Sequence, residues 1–259
     1  MRTPLFVASL LGLLLSGTAA AQQTDDEDVP AFDRPGLGLG TGIVTRGAMA
    51  LELGLPSYTR DTDRDGVRSE QFDSEVTLRT GLAPQLELQL SGSPWQRERM
   101  RAPTEPSLRE RGTGDTQVAL KWLAPLRTEN DRFAVLASAT LARGNAAFSE
   151  GRQYALAGSW EHDFTEDLTS DLYVSHSRGD GQRSTVWSPS LSLALGPRWS
   201  AFIEAGFTHT RGEPNESVAG GGVTFLWSER IQLDASLDAG LDADSPDLQA
   251  GVGLAVYFD

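Results

Sequence analysis

The sequence predicts an all-β chain, a transmembrane antiparallel up-and-down β-barrel of about 12 strands. Three observations carry that prediction. Apolar and polar residues alternate with a period of two through many short segments, the connections between them run short and long in turn, and aromatic residues collect where the segments end. A period of two sends successive side chains to opposite faces of a strand, so one face can meet hydrocarbon while the other meets water.

The chain opens with one positive charge at Arg2, an apolar run over residues 5–15 and the small exit Ala19-Ala20-Ala21. That order predicts a secretory signal over residues 1–21, since the apolar run falls short of the roughly 20 residues a membrane helix needs. With no cysteine in the chain, neither a lipid-modified cysteine nor a disulfide framework is available. Residues 22–46 form an acidic, then Gly-rich leader before a barrel over 47–259. Its acidic part, QQTDDEDVPAFDRP, lacks periodicity and reads as a flexible leader, with a short plug inside the lumen as the alternative. GLGLGTG at 36–42 holds a G-x-G pattern, but with no βαβ unit around it a dinucleotide site is excluded.

The strands follow in order at 47–54, 70–80, 86–94, 113–123, 133–141, 154–163, 168–177, 186–195, 199–209, 218–227, 231–241 and 249–258. Most are near the ~9–11 residues a tilted strand needs to cross a bilayer. The alternation is cleanest at the end, where Ile231, Leu233, Ala235, Leu237 and Ala239 are apolar and Gln232, Asp234, Ser236 and Asp238 between them are polar. Connections near 83–84, 125–131, 165–167, 196–198 and 228–230 are short, whereas 55–69, 95–112 and 142–153 are long and polar. Outer-membrane barrels arrange periplasmic turns and extracellular loops in this way. Trp122, Phe133, Phe164, Trp199, Trp227 and Phe258 then fall at periplasmic ends, and Trp95, Tyr154 and Trp187 at extracellular ends, as two interfacial girdles. A mean hydropathy of -0.29 does not oppose this, because only every second residue meets lipid. The net charge of -14 argues against a nucleic-acid surface.

Several segments resemble one family. Phe32-Asp33-Arg34-Pro35, GAMALELG at 47–54 and Tyr58-Thr59-Arg60-Asp61 resemble the opening of the MetA-pathway of phenol degradation family of outer-membrane transporters. LRTGLA at 78–83 leading into Leu86-Glu87-Leu88, Gly114-Asp115 leading to Leu120-Lys121-Trp122, and the closing stretch from Gln232-Leu233-Asp234 to Tyr257-Phe258 are similar to it as well. The resemblance implies an outer-membrane channel or transporter in a Gram-negative bacterium.

The polar parity gives the candidate pore lining: Glu52, Glu75, Arg79, Glu87, Asp115, Lys121, Asp171, Glu204, Asp234 and Asp238, with Asp73, Glu161 and Asp163 beside them. So acidic a wall favours cations unless it is compensated. The candidate compensator is the 95–112 loop with Arg97, Arg99, Arg101, Arg109 and Arg111, which folded inward sets a constriction and folded outward is a solvated loop or a lipopolysaccharide-phosphate contact. Asp61, Asp63, Asp65 and Gly66 begin like a calcium loop, yet the twelfth position is Phe72, so an acidic turn is the expectation and cation binding stays open. His176 and His209 lie near Ser175, Ser177 and Thr208, but neighbours in a strand point to opposite faces and no nucleophile-base-orienter set forms. The expectation is a channel for passive passage of small molecules, including aromatic or hydrophobic ones, with no catalytic residues, metal or cofactor. An outer-leaflet lipid hydrolase and a non-conducting surface barrel are the alternatives. Its partners are outer-membrane lipid and lipopolysaccharide, a small-molecule solute and the barrel-assembly machinery, and not nucleic acid.

Overall fold

The computed structural model describes residues 32–104 and 106–259. The expected signal segment and the start of the acidic leader lie outside the described residues. Thirteen strands follow in order: β1 (Met49–Thr62), β2 (Arg68–Ala83), β3 (Leu86–Arg101), β4 (Leu108–Gly112), β5 (Thr116–Leu123), β6 (Asp131–Ala142), β7 (Gln153–Asp163), β8 (Leu168–Gly179), β9 (Gln182–Ala194), β10 (Trp199–Thr210), β11 (Glu216–Ser228), β12 (Ile231–Gly240) and β13 (Leu248–Phe258). Around the wall each strand pairs antiparallel with its neighbour in sequence, except that β4 and β5 both pair with β3, and β1 pairs with β13 from Met49 opposite Phe258 to Arg60 opposite Leu248. The sheet is therefore closed, and closure satisfies every edge as lipid requires. β3 pairs with β5 over Leu86–Gly92 and with β4 over Gln96–Met100. β4 and β5 together act as one wall strand interrupted at 113–115, which makes a twelve-stranded barrel.

Burial in this barrel runs opposite to that of a water-soluble protein. The largest fully buried side chains are Arg79, Lys121, Glu87, Thr41, Ser159 and Ser188, all polar, while Leu156, Ile203 and Leu237 stand 60%, 64% and 55% exposed on the outside. A chain that hides its charges and presents leucines has hydrocarbon as its outer solvent. The aromatic ends also point outward: Trp95, Tyr154 and Trp187 at one rim, Phe133, Phe164, Trp199, Trp227 and Phe258 at the other. Trp187 stacks on Phe207 at 4.1 Å between ring centroids, and Trp199 lies 4.7 Å from Phe225.

The 95–112 region differs from its expectation. Apolar alternation stops near Trp95, yet pairing continues, because β3 extends to Arg101 and turns back as β4. Trp95 lies opposite Ser74 on the outer face, and parity places Arg97, Arg99 and Arg101 with it, opposite Phe72, Glu70 and Arg68. Arg111 and Arg109 face Arg97 and Arg99 on that same side. All five arginines thus leave the lumen, and the inward constriction loop is corrected to a hairpin whose period of two turns its acids inward and its bases outward. At the 61–66 turn, Asp63 Oδ1 accepts the Asp65 and Val67 amides at 2.9 Å each, closing an Asx turn. Among the described residues no group of three or more potential metal ligands comes together.

Candidate functional site

Residues 32–46 lie inside the barrel as a plug, in the half nearer the short turns. The segment joins the wall where Arg46 bridges Gly81 and the Gly47 amide donates to the Gly81 carbonyl at 2.9 Å. A segment without regular structure has backbone donors to satisfy, and in a closed lumen only the wall can take them. The acidic parity does so. Glu52 accepts the Asp33 and Arg34 amides at 3.0 and 3.1 Å, Glu204 the Leu37 amide at 2.7 Å, Glu161 the Thr41 amide and hydroxyl at 2.7 and 2.6 Å, and Glu87 the Val44 amide at 2.7 Å. Hydrogen bonds to a charged acceptor are roughly twice as strong as neutral ones. The carboxylates that sequence reading assigned to a pore lining thus serve here as docking groups for main-chain N–H.

A charged knot completes the dock. Asp33 accepts Lys121 Nζ at 2.7 Å and Gln89 Nε2 at 3.0 Å, and lies 3.5 Å from Arg79. Arg79 donates to Glu87 and Glu52 at 2.7 Å and to the Gly42 carbonyl at 3.0 Å. On the far wall Arg34 donates to Asp234 at 3.1 Å, and Gln232 to the Arg34 carbonyl at 2.9 Å. Glycine makes the close approach feasible: a Cβ on Gly38 would stand 2.8 Å from the Cβ of Tyr173. Glu161 is held in turn by Arg132, which also chelates Asp163.

The plug divides the inner space into two cavities. One of about 350 Å³ lies against β1–β3 and β5–β8 and includes Glu75, Ser91, Gln117, Leu136 and Tyr173. The other, of about 260 Å³, lies against β7–β12 and includes Asp171, Ser188, Ser190, Phe202 and Glu204. The larger falls within the range of small-molecule sites. Glu204 Oε1, Asp234 Oδ2 and Asp238 Oδ1 have no hydrogen-bond partner among the described residues, which leaves acceptors on the far wall for water or solute.

Of the residues read from sequence, Glu52, Arg79, Glu87, Lys121, Glu204 and Asp234 come together around the plug. Asp171 instead accepts Ser159 Oγ at 2.5 Å, and Asp115 binds the Gly144 and Glu150 amides at 2.8 and 3.0 Å, pinning the 143–152 connection at the rim. Sequence reasoning missed Asp33, Arg34, Thr41, Gln89 and Gln232. For Asp33, Arg34 and Thr41 the signal available was the FDRP stretch followed by a glycine at every second position. His176 and His209 lie exposed at the rim, bonded to Thr185 and Asn215.

The sequence family described as "Putative MetA-pathway of phenol degradation" matches residues 32–258. No curated protein matches the chain. Among solved structures, the COG4313 outer membrane channel from Pseudomonas putida F1 superposes with a TM-score of 0.66 at 13% identity, covering 87% of this chain and 99% of that one. The transport unit of the autotransporter AIDA-I from Escherichia coli gives 0.56 at 10%, covering 83% and 91%. The NanC porin gives 0.54 at 7%, covering 81% and 99%. At these identities the likeness is one of fold, that of the outer-membrane β-barrel.

Proposed function

The chain belongs to the MetA-pathway of phenol degradation family, and on that premise we propose that it is an outer-membrane channel for passive passage of small molecules, closed at rest by residues 32–46. The observation that carries this reading is the combination of a hydrophilic lumen, cavities on both sides of the plug, and a plug held mainly by hydrogen bonds and ion pairs, with one small apolar contact of Phe32 and Val44 against Ala48 and Ala50. The polar contacts can be exchanged for water, so the plug can leave while exposing only that small apolar cluster. The family description supports small aromatic solutes, and Leu136, Ala155, Ala157 and Tyr173 give the larger cavity an apolar patch beside its polar wall.

Selectivity follows from bore and lining. With the plug in place the space open to a solute is a cavity of about 350 Å³ bordered by Glu52, Glu75 and Gln89. With it displaced, Glu52, Glu87, Glu161 and Glu204 lose their main-chain donors and the wall becomes cation-attracting. No catalytic step is part of this reading, and the solved structures of similar fold include channels and porins. Outer-membrane lipid, lipopolysaccharide and the barrel-assembly machinery are the partners it requires. Liposome-swelling rates with phenol-sized neutral solutes test it: proteoliposomes are expected to admit such solutes faster than empty vesicles and to exclude disaccharides. Equal rates for protein-containing and empty vesicles would support a non-conducting barrel instead.

A further inference from the structure

We propose that the outward face of the β3–β4 hairpin binds the phosphate groups of lipopolysaccharide, an inference that rests on the outer-membrane orientation of the barrel. Beyond Trp95 the hairpin is a strict two-residue alternation. Its outer face carries Arg97 opposite Arg111, Arg99 opposite Arg109 and Arg101 opposite Arg68, and its inner face carries Glu98 opposite Glu110. Like charges directly opposed across a sheet destabilise it, so three such pairs in a row call for an anion between them. Glu70, the acid opposite Arg99, is engaged by Arg68 at 2.6 Å, and among the described residues Arg97, Arg99, Arg101, Arg109 and Arg111 form no ion pair. Arg99 Nε is shielded from solvent and has no hydrogen-bond partner. In a chain whose net charge is -14, this concentration of arginine is not a composition effect.

Position selects the ligand. The arginines share their face with Trp95 and with the Tyr58–Phe72 pair, whose ring centroids are 4.8 Å apart. Aromatic side chains of this kind mark the interface. At a rise of about 3.4 Å per residue, Arg97 and Arg99 lie roughly 7 and 14 Å along the strand beyond Trp95, and strand tilt brings them closer to the membrane plane. That is headgroup depth, and the side chains point sideways into the leaflet rather than into the lumen. Two guanidinium forks facing one another across a sheet suit a phosphate bound bidentately from both sides.

The experiment measures binding by microscale thermophoresis, using the full chain in detergent. The probes are bis-phosphorylated lipid A, enzymatically dephosphorylated lipid A, and phosphatidylglycerol. Barrel folding of each variant is checked by heat-modifiable gel migration. The wild type is expected to bind bis-phosphorylated lipid A at least about tenfold more tightly than the other two probes. The variant Arg97→Gln/Arg99→Gln/Arg109→Gln/Arg111→Gln is expected to lose that preference. Arg178→Gln/Arg183→Gln, which removes a single opposed pair across β8–β9, is expected to keep it. Should the fourfold variant not fold, Arg99→Gln/Arg109→Gln makes the same comparison. A folded variant that binds lipid A like the wild type overturns the site, and equal binding of phosphatidylglycerol overturns the lipopolysaccharide assignment. None of these readouts depends on conduction, so their failure and that of the channel reading are separable.

Discussion

Replacing Asp33 by Ala weighs the docked plug against the undocked one, because Asp33 belongs to the plug and its partners belong to the wall. Lys121 is fully buried and its recorded ion-pair partner is Asp33 at 2.7 Å, with Gln89 and Arg79 on the other carboxylate oxygen at 3.0 and 3.5 Å. Removing the acid leaves a buried ammonium without its direct ion-pair partner while the plug stays docked. Once the plug lifts, water reaches Lys121 and the penalty disappears. Breaking a buried pair from one side costs about 3–5 kcal/mol, and at about 1.4 kcal/mol per tenfold the docked-to-undocked ratio falls roughly 100- to 5,000-fold. Asp33→Asn, which can still accept a hydrogen bond, is expected to fall between the two.

Hydrogen exchange followed by mass spectrometry reads this ratio directly. The amides of Asp33, Arg34, Leu37, Thr41 and Val44 all donate to wall carboxylates, so their protection reports docking free energy. Exchange in residues 32–46 should accelerate by two to three orders of magnitude, while β10–β12 stays unchanged as the internal control. Acceleration below about threefold, in a variant that still migrates as a folded barrel, would refute the claim that this charged knot holds the plug.

Three further outcomes follow from the same contacts. Gly38→Val forces a side chain where a Cβ already stands 2.8 Å from Tyr173 Cβ, so exchange across 36–40 should rise and solute entry should quicken; unchanged solute entry would place the closed point elsewhere. Leu237→Arg puts a charge on the hydrocarbon face and should lower folding stability in lipid vesicles by about 2–4 kcal/mol, and an unaltered unfolding midpoint would contradict the assignment of that face. In the β12–β13 connection Asp242 accepts Ser245 Oγ at 2.7 Å and the Asp244 amide at 3.1 Å, and these bonds, the Ser245 hydroxyl foremost, hold its carboxyl below the ordinary value. A depressed folded pKa stabilises the loop at pH above the unfolded value of about 3.9 and loses that contribution as pH falls through the folded value. The Asp242 carboxyl carbon should therefore titrate below that reference in NMR, and a midpoint at or above it would show that the Ser245 bond is not formed.

Much of this barrel is legible in its sequence because each wall strand must satisfy two solvents at once. Leu233 and Leu237 against Asp234 and Asp238 leave one register open to β12, and a shift by one residue would put carboxylates in oil. Strand ends were less legible. Beyond the girdle the outer face meets polar headgroups instead of hydrocarbon, so β1–β3 continue to Thr62, back to Arg68 and on to Arg101 without apolar alternation. In β3 the pattern persists in another alphabet, with Arg and Glu replacing apolar and polar, which is why it read as a charged loop. The plug was the least legible part. Its anchors are main-chain amides, which every residue carries, and its glycines have no side chain from which to build a period. The wall carboxylates looked like an uncompensated acidic bore because their compensation comes from backbone N–H, Arg79, Lys121, Arg34 and Arg132 rather than from the arginine hairpin.

Single-channel recording in planar bilayers, on the wild type and Asp33→Ala side by side, tests the plugged-channel reading most directly. A docked plug predicts small, infrequent openings for the wild type and larger, long-lived, cation-preferring openings for Asp33→Ala, whose freed wall carries Glu52, Glu87, Glu161 and Glu204. An Asp33→Ala protein that inserts, exchanges its plug amides freely and still carries no current would contradict it.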